Sequence, residues 1–399
     1  LVHGFNANHH NFTSPEKDCL VDYLAERGYD CWAVDLRGCR SSEAPFERYF
    51  DDVMMDDYLR YDLPATIEYI RKTTGYNRVH WIGHSMGGAL LYAYSQHFGT
   101  RHLASGVTLG APIDFEGCPV WAPGLLVAFA CRFPRLAGNI LRGLVPFVFY
   151  LPIDLGLFPV NRRNLAKGMN SGHFITMLEA PPPQVTREMV FFLQNRVWRM
   201  LDDTLDVVAG FPGMSLPLLA VFGKRDPFIS FEQGPGYIEK MRHPDKEVLL
   251  LSKENGCKHD YDHCDLAFGA EGRREVFAPI AKWLAEHPIQ ERIGLEELGK
   301  DTAGLTLPLD AQQRAGILSG DSYAHVDESV ANDGERAVHE PILTIEAMDS
   351  AEITPAPKKK AAPRKKSAAP KAKPKAKNAK AKKTAPKRKP KAKQAGAED

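Results

Sequence analysis

The sequence lacks a membrane span. Its nearest approach, Val120 to Cys131, is a run of about a dozen residues interrupted by Pro123 and Gly124, and crossing a bilayer takes about 20. It lacks a disulfide framework as well. Seven cysteines, Cys19, Cys31, Cys39, Cys118, Cys131, Cys257 and Cys264, lie scattered without paired spacing, and their number is odd. A chain of 399 residues can bury a large core and needs no covalent staples, so the cysteines point to a reducing, cytoplasmic setting. There is no signal peptide. The chain opens on Leu1 rather than Met, directly at a strand end, so earlier strands are expected ahead of it and secretion stays open.

One region lacks acidic residues. From Lys358 to Lys393 there are 18 Lys or Arg and no Asp or Glu. Only Glu398 and Asp399 follow, so residues 1–357 keep 33 of the 51 basic and 48 of the 50 acidic side chains, a net charge of −15. An acidic body is thus joined to a basic tail of Lys, Ala and Pro. Such a composition cannot bury a core, so residues 358–399 are expected to be a disordered tail. Nucleic acid is the expected partner of 358–393, through phosphate neutralisation, with an anionic membrane surface as the alternative.

Ahead of the tail, the hydrophobic pattern divides the chain. In residues 1–112, strands and helices alternate. Leu1–His3 ends a strand, and Ser14–Arg27 reads as a helix with Pro15 at its first position and Gly28 at its stop. Cys31–Asp35 reads as a buried strand and Tyr58–Lys72 as an amphipathic helix ended by Gly75. Val79–Ile82 and Val107–Leu109 are further strands. Residues 113–212 break this rhythm and read as a helical cap insertion, with helices near Leu125–Phe133, Leu136–Val145 and Val185–Leu205. Residues 213–287 resume it with strands at Leu218–Phe222 and Val248–Leu251 and a helix over Arg273–Glu286. Residues 288–357 are acidic and read as a mostly disordered linker. The alternation predicts an α/β fold, a mostly parallel sheet flanked by helices on both faces.

The most informative stretch is Gly83-His84-Ser85-Met86-Gly87, which follows a short apolar β-run and opens a helical pattern. That context suits a nucleophile elbow, a tight turn that lifts a serine hydroxyl out of the sheet. Gly83 and Gly87 leave room for it, and the Met86 N–H at the new helix start faces a developing oxyanion. A serine hydroxyl needs a base, and the base needs an acid. In this fold type they follow in the order Ser, Asp, His. Asp226 stands just after the strand Leu218–Phe222. Two histidines follow the next strand, His259 and His263, and His263 is preferred because it adjoins the last helix. His84 points away from Ser85 by strand alternation and reads as structural. Cys257, His259, His263 and Cys264 match no common zinc spacing, so no metal is expected, and no cofactor. His3-Gly4-Phe5 can supply a second oxyanion donor, the Phe5 N–H.

With these residues in view, the chain resembles the α/β-hydrolase superfamily, in particular its acid-lipase and microbial lipase/esterase branch. The resemblance rests on Leu1–Phe5, Asp35-Leu36-Arg37-Gly38, Tyr61-Asp62-Leu63-Pro64-Ala65, Gly83–Gly88, Gly223–Asp226 and His263–Leu266, and covers residues 1–287. It implies an α/β-hydrolase fold, Ser85, Asp226 and His263 as nucleophile, acid and base, and Phe5 and Met86 N–H groups as the oxyanion hole. The basic tail is not part of the family pattern.

The cap segment carries Trp121, Leu125, Leu126, Phe129, Phe133, Leu144, Val145, Phe147, Phe149, Leu155, Leu157 and Phe158. They form either a small core of their own or a tunnel for an acyl chain, and the second predicts a lipophilic ester or acyl substrate. The leading function is therefore a serine ester hydrolase. Acyl transfer or polyester metabolism on the same triad is the alternative. Polyester synthases usually carry Cys where Ser85 stands, which weighs against synthesis. A third reading, of another class, is a polyanion-binding protein acting through its tail with an inert hydrolase body.

Overall fold

Side chains alternate across β-strands, and here the alternation divides one set of strands between two cores. In the computed structural model the structure describes residues 1–13, 19–39, 42, 47–116, 129–150, 159–290 and 292. Among them the strands, in chain order, are β1 (Val79–His84), β2 (Leu103–Leu109), β3 (Arg199–Met200), β4 (Leu205–Asp206), β5 (Leu218–Gly223) and β6 (Lys246–Leu251). β1, β2, β5 and β6 lie side by side in that order, all parallel. Beyond β1 the sheet continues through single parallel bridges, Val2 to Gly83 and Val2 to Val34.

Ile82, Val107, Leu109, Leu219, Val221 and Leu251 turn to one face and pack with Leu20, Tyr23 and Leu24 and with Phe277, Ile280 and Leu284. Trp81, Leu218, Ala220 and Phe222 turn to the other and pack with Leu63 and Ile67 and with Ala89 to Tyr94. The helices Leu20–Ala25 and Ala278–Glu286 thus cover the first face, and Leu63–Thr74 and Met86–His97 the second. This is a three-layer α/β arrangement.

Two helices carry a π turn for the same reason. The stretch Met55–Thr74 is helical throughout, but Tyr58–Asp62 is wound as a π turn with Leu63 N–H on the Tyr58 carbonyl. Arg273–Phe277 is wound likewise, with Ala278 N–H on Arg273. In each case the next residue is proline, Pro64 or Pro279, which has no N–H to give an α-helical bond.

Several predicted elements differ. Cys31–Asp35 is not a strand ladder: Val34 makes one bridge. Past it the backbone leaves the sheet, because Leu36 N–H donates to His3 Nε2 and the Asp35 carboxylate accepts from His9. The helix predicted over Val185–Leu205 runs only from Pro183 to Asn195. Arg196 stops it in the left-handed region, φ 57°, and its guanidinium forks onto Asp114 at 2.8 and 2.9 Å. Leu201, Asp202 and Asp203, all at positive φ, then turn β3 into β4. The helix Ser171–Met177 was not predicted, and Leu136–Val145 lengthens to Pro134–Tyr150. Of Ser14–Arg27, residues 14–18 lie outside the described residues, as do nearly all of 288–357 and the whole of 358–399. Among the described residues no helix is long and apolar enough to cross a membrane.

Candidate active site

Parallel strands bring their carboxyl ends to one edge of the sheet, where loops can converge. Ser85 follows β1, Asp226 follows β5 and His263 follows β6. Ser85 has φ 53° and ψ −119°, a backbone state that costs a non-glycine residue about 1–3 kcal/mol. The helix Met86–His97 starts at the next residue. Close packing enforces the turn. A Cβ on Gly83 would lie 2.4 Å from the Gly87 carbonyl, and a Cβ on Gly87 would lie 2.1 Å from the Val2 carbonyl oxygen. The Ser85 N–H donates to the Leu109 carbonyl at 2.9 Å, fixing the turn to the end of β2. Ser85 remains half-buried.

The predicted acid and base are in contact. His263 Nδ1 lies 2.7 Å from Asp226 Oδ2, and both residues are buried. The other carboxylate oxygen, Oδ1, accepts from the Phe228 and Ile229 N–H groups at 2.8 and 3.1 Å. A carboxylate only accepts, so the proton of this contact sits on Nδ1 and leaves Nε2 as the basic nitrogen. His259 is the alternative weighed above; the contact to Asp226 is made by His263. Gly110, next to the carbonyl that holds Ser85, faces the same pair: its Cβ would lie 2.8 Å from Asp226 Oδ2 and 3.0 Å from His263 Nδ1.

Two N–H groups are predicted as oxyanion donors, and Gly4, just before Phe5, packs on Ser85: a Cβ there would lie 3.0 Å from the Ser85 Cβ. Met86 is the first residue of its helix, so its N–H has no carbonyl one turn back. Phe5 lies in the loop after Val2, whose backbone presses on Gly87. The His3 ring serves that loop's base: Nδ1 bonds the Gly4 carbonyl and Nε2 accepts from Leu36 N–H, while burial lowers its pKa. The polar residues after Phe5 are tied to the segment before β3. Asn8 Nδ2 donates to the Thr176 carbonyl and to Glu179 Oε1, and Glu179 N–H donates to the Asn6 carbonyl.

Several groups around the site were not legible in the sequence. His84 Nε2 contacts the His263 carbonyl at 3.0 Å and its Nδ1 contacts Asn11. Burial, reinforced by the neighbouring His263, drives the His84 pKa down to about 3. Asp262 accepts the His263 N–H at 2.9 Å, and burial raises its pKa to about 6. Asp265 is buried beside it and accepts from Asn161 N–H, Asp262 N–H and Asn164 Nδ2. Farther away, Arg37 donates through Nε to Asp62 at 2.7 Å. This buried pair joins the Asp35–Gly38 and Tyr61–Ala65 motifs, for which the sequence reading gave no mutual role. The His84–His263 and Arg37–Asp62 contacts join residues 179 and 25 positions apart, a relation no local pattern carries.

Among the described cap residues Phe129 is half-buried. Val145 is buried, but Phe133, Leu144 and Phe147 are exposed. Trp121, Leu125, Leu126, Leu155, Leu157, Phe158 and the Phe149 side chain lie outside what is described. A cavity of about 370 Å³ does occur, lined by Leu1, Tyr29, Trp32, Ile67, Val79 and Trp81 among others. It flanks the Val34 edge of the sheet and includes none of Ser85, Asp226 and His263. Among the described residues no group of three or more His, Cys, Asp or Glu side chains is placed to hold a metal.

The chain is similar to known proteins over parts of its length. A family model described as the alpha/beta hydrolase fold matches residues 1–134. Mouse gastric triacylglycerol lipase is 37% identical over 93 residues, 22% of this chain and 24% of the lipase. A probable lipase of Schizosaccharomyces pombe is 24% identical over 306 residues, 67% of this chain and 65% of that protein. The chain therefore spans about a quarter of the first relative and just under two thirds of the second. A thermophilic esterase from Thermogutta terrifontis aligns over 72% of this chain and 89% of its own, with 18% identity and a TM-score of 0.44. Over residues 1–134 the chain matches the alpha/beta hydrolase fold, and the curated relatives it resembles are lipases.

Proposed function

We propose that the protein is a serine hydrolase of lipophilic carboxylic esters. One observation carries the reading: a serine held on a strained strand-to-helix turn, at the same sheet edge as a buried His–Asp pair 2.7 Å apart. The Ser85 hydroxyl oxygen attacks the acyl carbon as its proton passes to His263 Nε2. Asp226 holds the ring and balances the imidazolium. The tetrahedral oxyanion lies against the Phe5 and Met86 N–H groups. His263 then returns the proton to the departing alcohol, leaving an acyl-serine. Water repeats the sequence and releases the acid. A lipophilic acyl group is supported by the lipase relatives and by the apolar composition of residues 113–212, read here as the cap.

Labelling with a fluorophosphonate, followed by hydrolysis of nitrophenyl esters of increasing acyl length, tests this directly. Covalent labelling at Ser85 and turnover favouring longer chains are expected. An unlabelled protein that turns over no ester would overturn the proposal, and turnover only in the presence of an acceptor alcohol would favour acyl transfer.

A second activity is carried by a separate observation, the 18 cations and no acids of 358–393. We infer that this tail binds polyanions, nucleic acid before others, through counterion release.

A further inference from the structure

A second carboxylate stands against the base. Asp262 is the residue before His263, and its Oδ1 accepts the His263 N–H at 2.9 Å. Its own N–H donates to Asp265 Oδ1 at 2.9 Å. The loop that carries both is seated on the loop that carries Asp226. Arg225 N–H donates to the Tyr261 carbonyl at 2.8 Å, and a Cβ on Gly223 would lie 2.7 Å from that same oxygen. His263 is thereby gripped through its ring by Asp226 and through its backbone by Asp262.

The surroundings of Asp262 leave its charge in balance. Its side chain is 7% exposed. Facing it from the loop after β5 are Asp226 and Arg225, whose guanidinium comes to 3.9 Å from Oδ2. From its own loop it meets His263 and the buried residues Cys264 and Asp265. Burial pushes its pKa up, the His263 N–H and Arg225 oppose this, and it settles at about 6. Asp265, walled in with Asn161 and Asn164, is pushed well above the usual carboxylate range by its burial. Of the two, Asp262 is the one that changes charge just below neutrality. An ionised carboxylate takes an N–H more strongly than a neutral one. Its field also favours the imidazolium that forms as Ser85 gives up its proton. A protonated Asp262 weakens the first effect and forfeits the second.

We propose that Asp262 is a positioning residue for His263, anchored by Arg225, and that only its ionised form gives full reactivity at Ser85. The inference rests on the reading of Ser85, Asp226 and His263 as a catalytic triad.

The test is the rate at which a fluorophosphonate labels the full chain, which does not depend on which ester is the substrate. Ser85 Oγ bonds to phosphorus, fluoride leaves, and the hydroxyl proton passes to His263. The rate is followed from about pH 5 to about pH 8 in the parent and in Asp262→Asn. That variant keeps an oxygen for the His263 N–H and loses the charge. Protonation of His263 is common to both proteins, so the ratio of their rates reads Asp262. The parent should react about tenfold faster near pH 8, the effect of a charge on one hydrogen bond. The ratio should pass its midpoint at about pH 6 and approach unity at lower pH. A side chain that merely supports the fold would lower the rate by one factor at every pH. With Arg225→Gln in both proteins, the midpoint should move to higher pH, since losing a cation favours the neutral carboxyl. Asp262→Ser, which also offers an oxygen to the N–H, takes the place of Asp262→Asn if the latter does not fold. A ratio independent of pH, or near unity throughout, would overturn the role of Asp262 and leave the triad standing. A parent that takes no label would overturn the triad reading and this inference with it.

Discussion

His84 and His263 are 179 positions apart, and the ring of the first holds the backbone of the second, with Nε2 3.0 Å from the carbonyl oxygen and the two rings 4.7 Å apart. Burial keeps His84 neutral, so one ring nitrogen retains a proton to donate. On the proposed mechanism His84 positions the base. His84→Ala should lower kcat by about 10–100-fold, the range of one buried hydrogen bond, with KM little changed. His84→Gln, which keeps a donor, should recover part of the loss. A rise in KM at constant kcat would instead assign His84 to substrate binding.

Ser85→Ala should cost on the order of 10⁶ in turnover, since the nucleophile, base and acid act as a unit. Ser85→Gly should be equally inactive but more stable than the parent, by about 1 kcal/mol, because glycine adopts φ 53° without strain. Thermal melts of the two variants side by side check this. Equal melting points would show that the turn stores no strain.

Asp226→Asn should reduce kcat by about 10⁴ by forcing the wrong tautomer on His263. His263→Ala should approach the loss at Ser85, and His259→Ala should be nearly silent, since His263 makes the 2.7 Å contact to Asp226. Equal losses at the two histidines, in the same ester assay, would leave the base unassigned.

Glu188 caps the helix at Met55, its Oε2 accepting the Met55 N–H at 2.8 Å. Burial, with Asp56 and Asp57 nearby, raises its pKa from 4.5 to about 7. The unfolded chain therefore ionises first. The stability this residue contributes is complete below about pH 4.5 and is lost as pH rises towards 7. Glu188→Gln should accordingly stabilise the protein at pH 7 to 8, by on the order of 2–3 kcal/mol, and the gain should vanish near pH 4. Denaturant titrations at the two pH values measure it. A gain that does not change with pH would exclude ionisation as the cause.

Ending the chain at Pro357 should abolish most DNA binding and its salt dependence while leaving ester turnover almost unchanged. Eighteen cations lie beyond that point, and the affinity should fall steeply with salt in the intact chain only. Binding measured for both chains across a salt series decides this. Similar weak binding by both, with no slope, would remove the tail from consideration.

What could be read from the sequence follows from how local each signal is. The Ser85 turn was legible because Gly83, Gly87 and the flanking strand and helix all lie within a dozen residues. The Asp226 and His263 loops were legible because each follows a strand. Gly110 and His84 act on those same residues from other strands, and no local pattern announces it. The Arg37–Asp62 pair is the same case. The helix over 134–150 was legible by its period. Which of its two apolar faces turns inward was not, since Leu141, Val145, Leu144 and Phe147 are alike in chemistry and only the neighbours Phe174, Met177 and Ala180 separate them. Arg196 ended a helix that propensity alone would have continued, because its left-handed backbone delivers the guanidinium to Asp114.

β2 and β5 are neighbours in the sheet, yet all of residues 110–217 lie between them in the chain. That long excursion leaves one strand and returns to the strand beside it, so the register of the sheet is indifferent to what the excursion contains. Apart from Gly110, which faces the Asp226–His263 pair, and Asn161 and Asn164, which hold the loop of His263, residues there can be gained, lost or exchanged without moving Ser85, Asp226 or His263 relative to one another. Two properties are thereby inherited on separate terms. The sheet edge can keep its groups in place over long divergence, while the excursion drifts in length and surface and takes up new tasks at little cost to the rest.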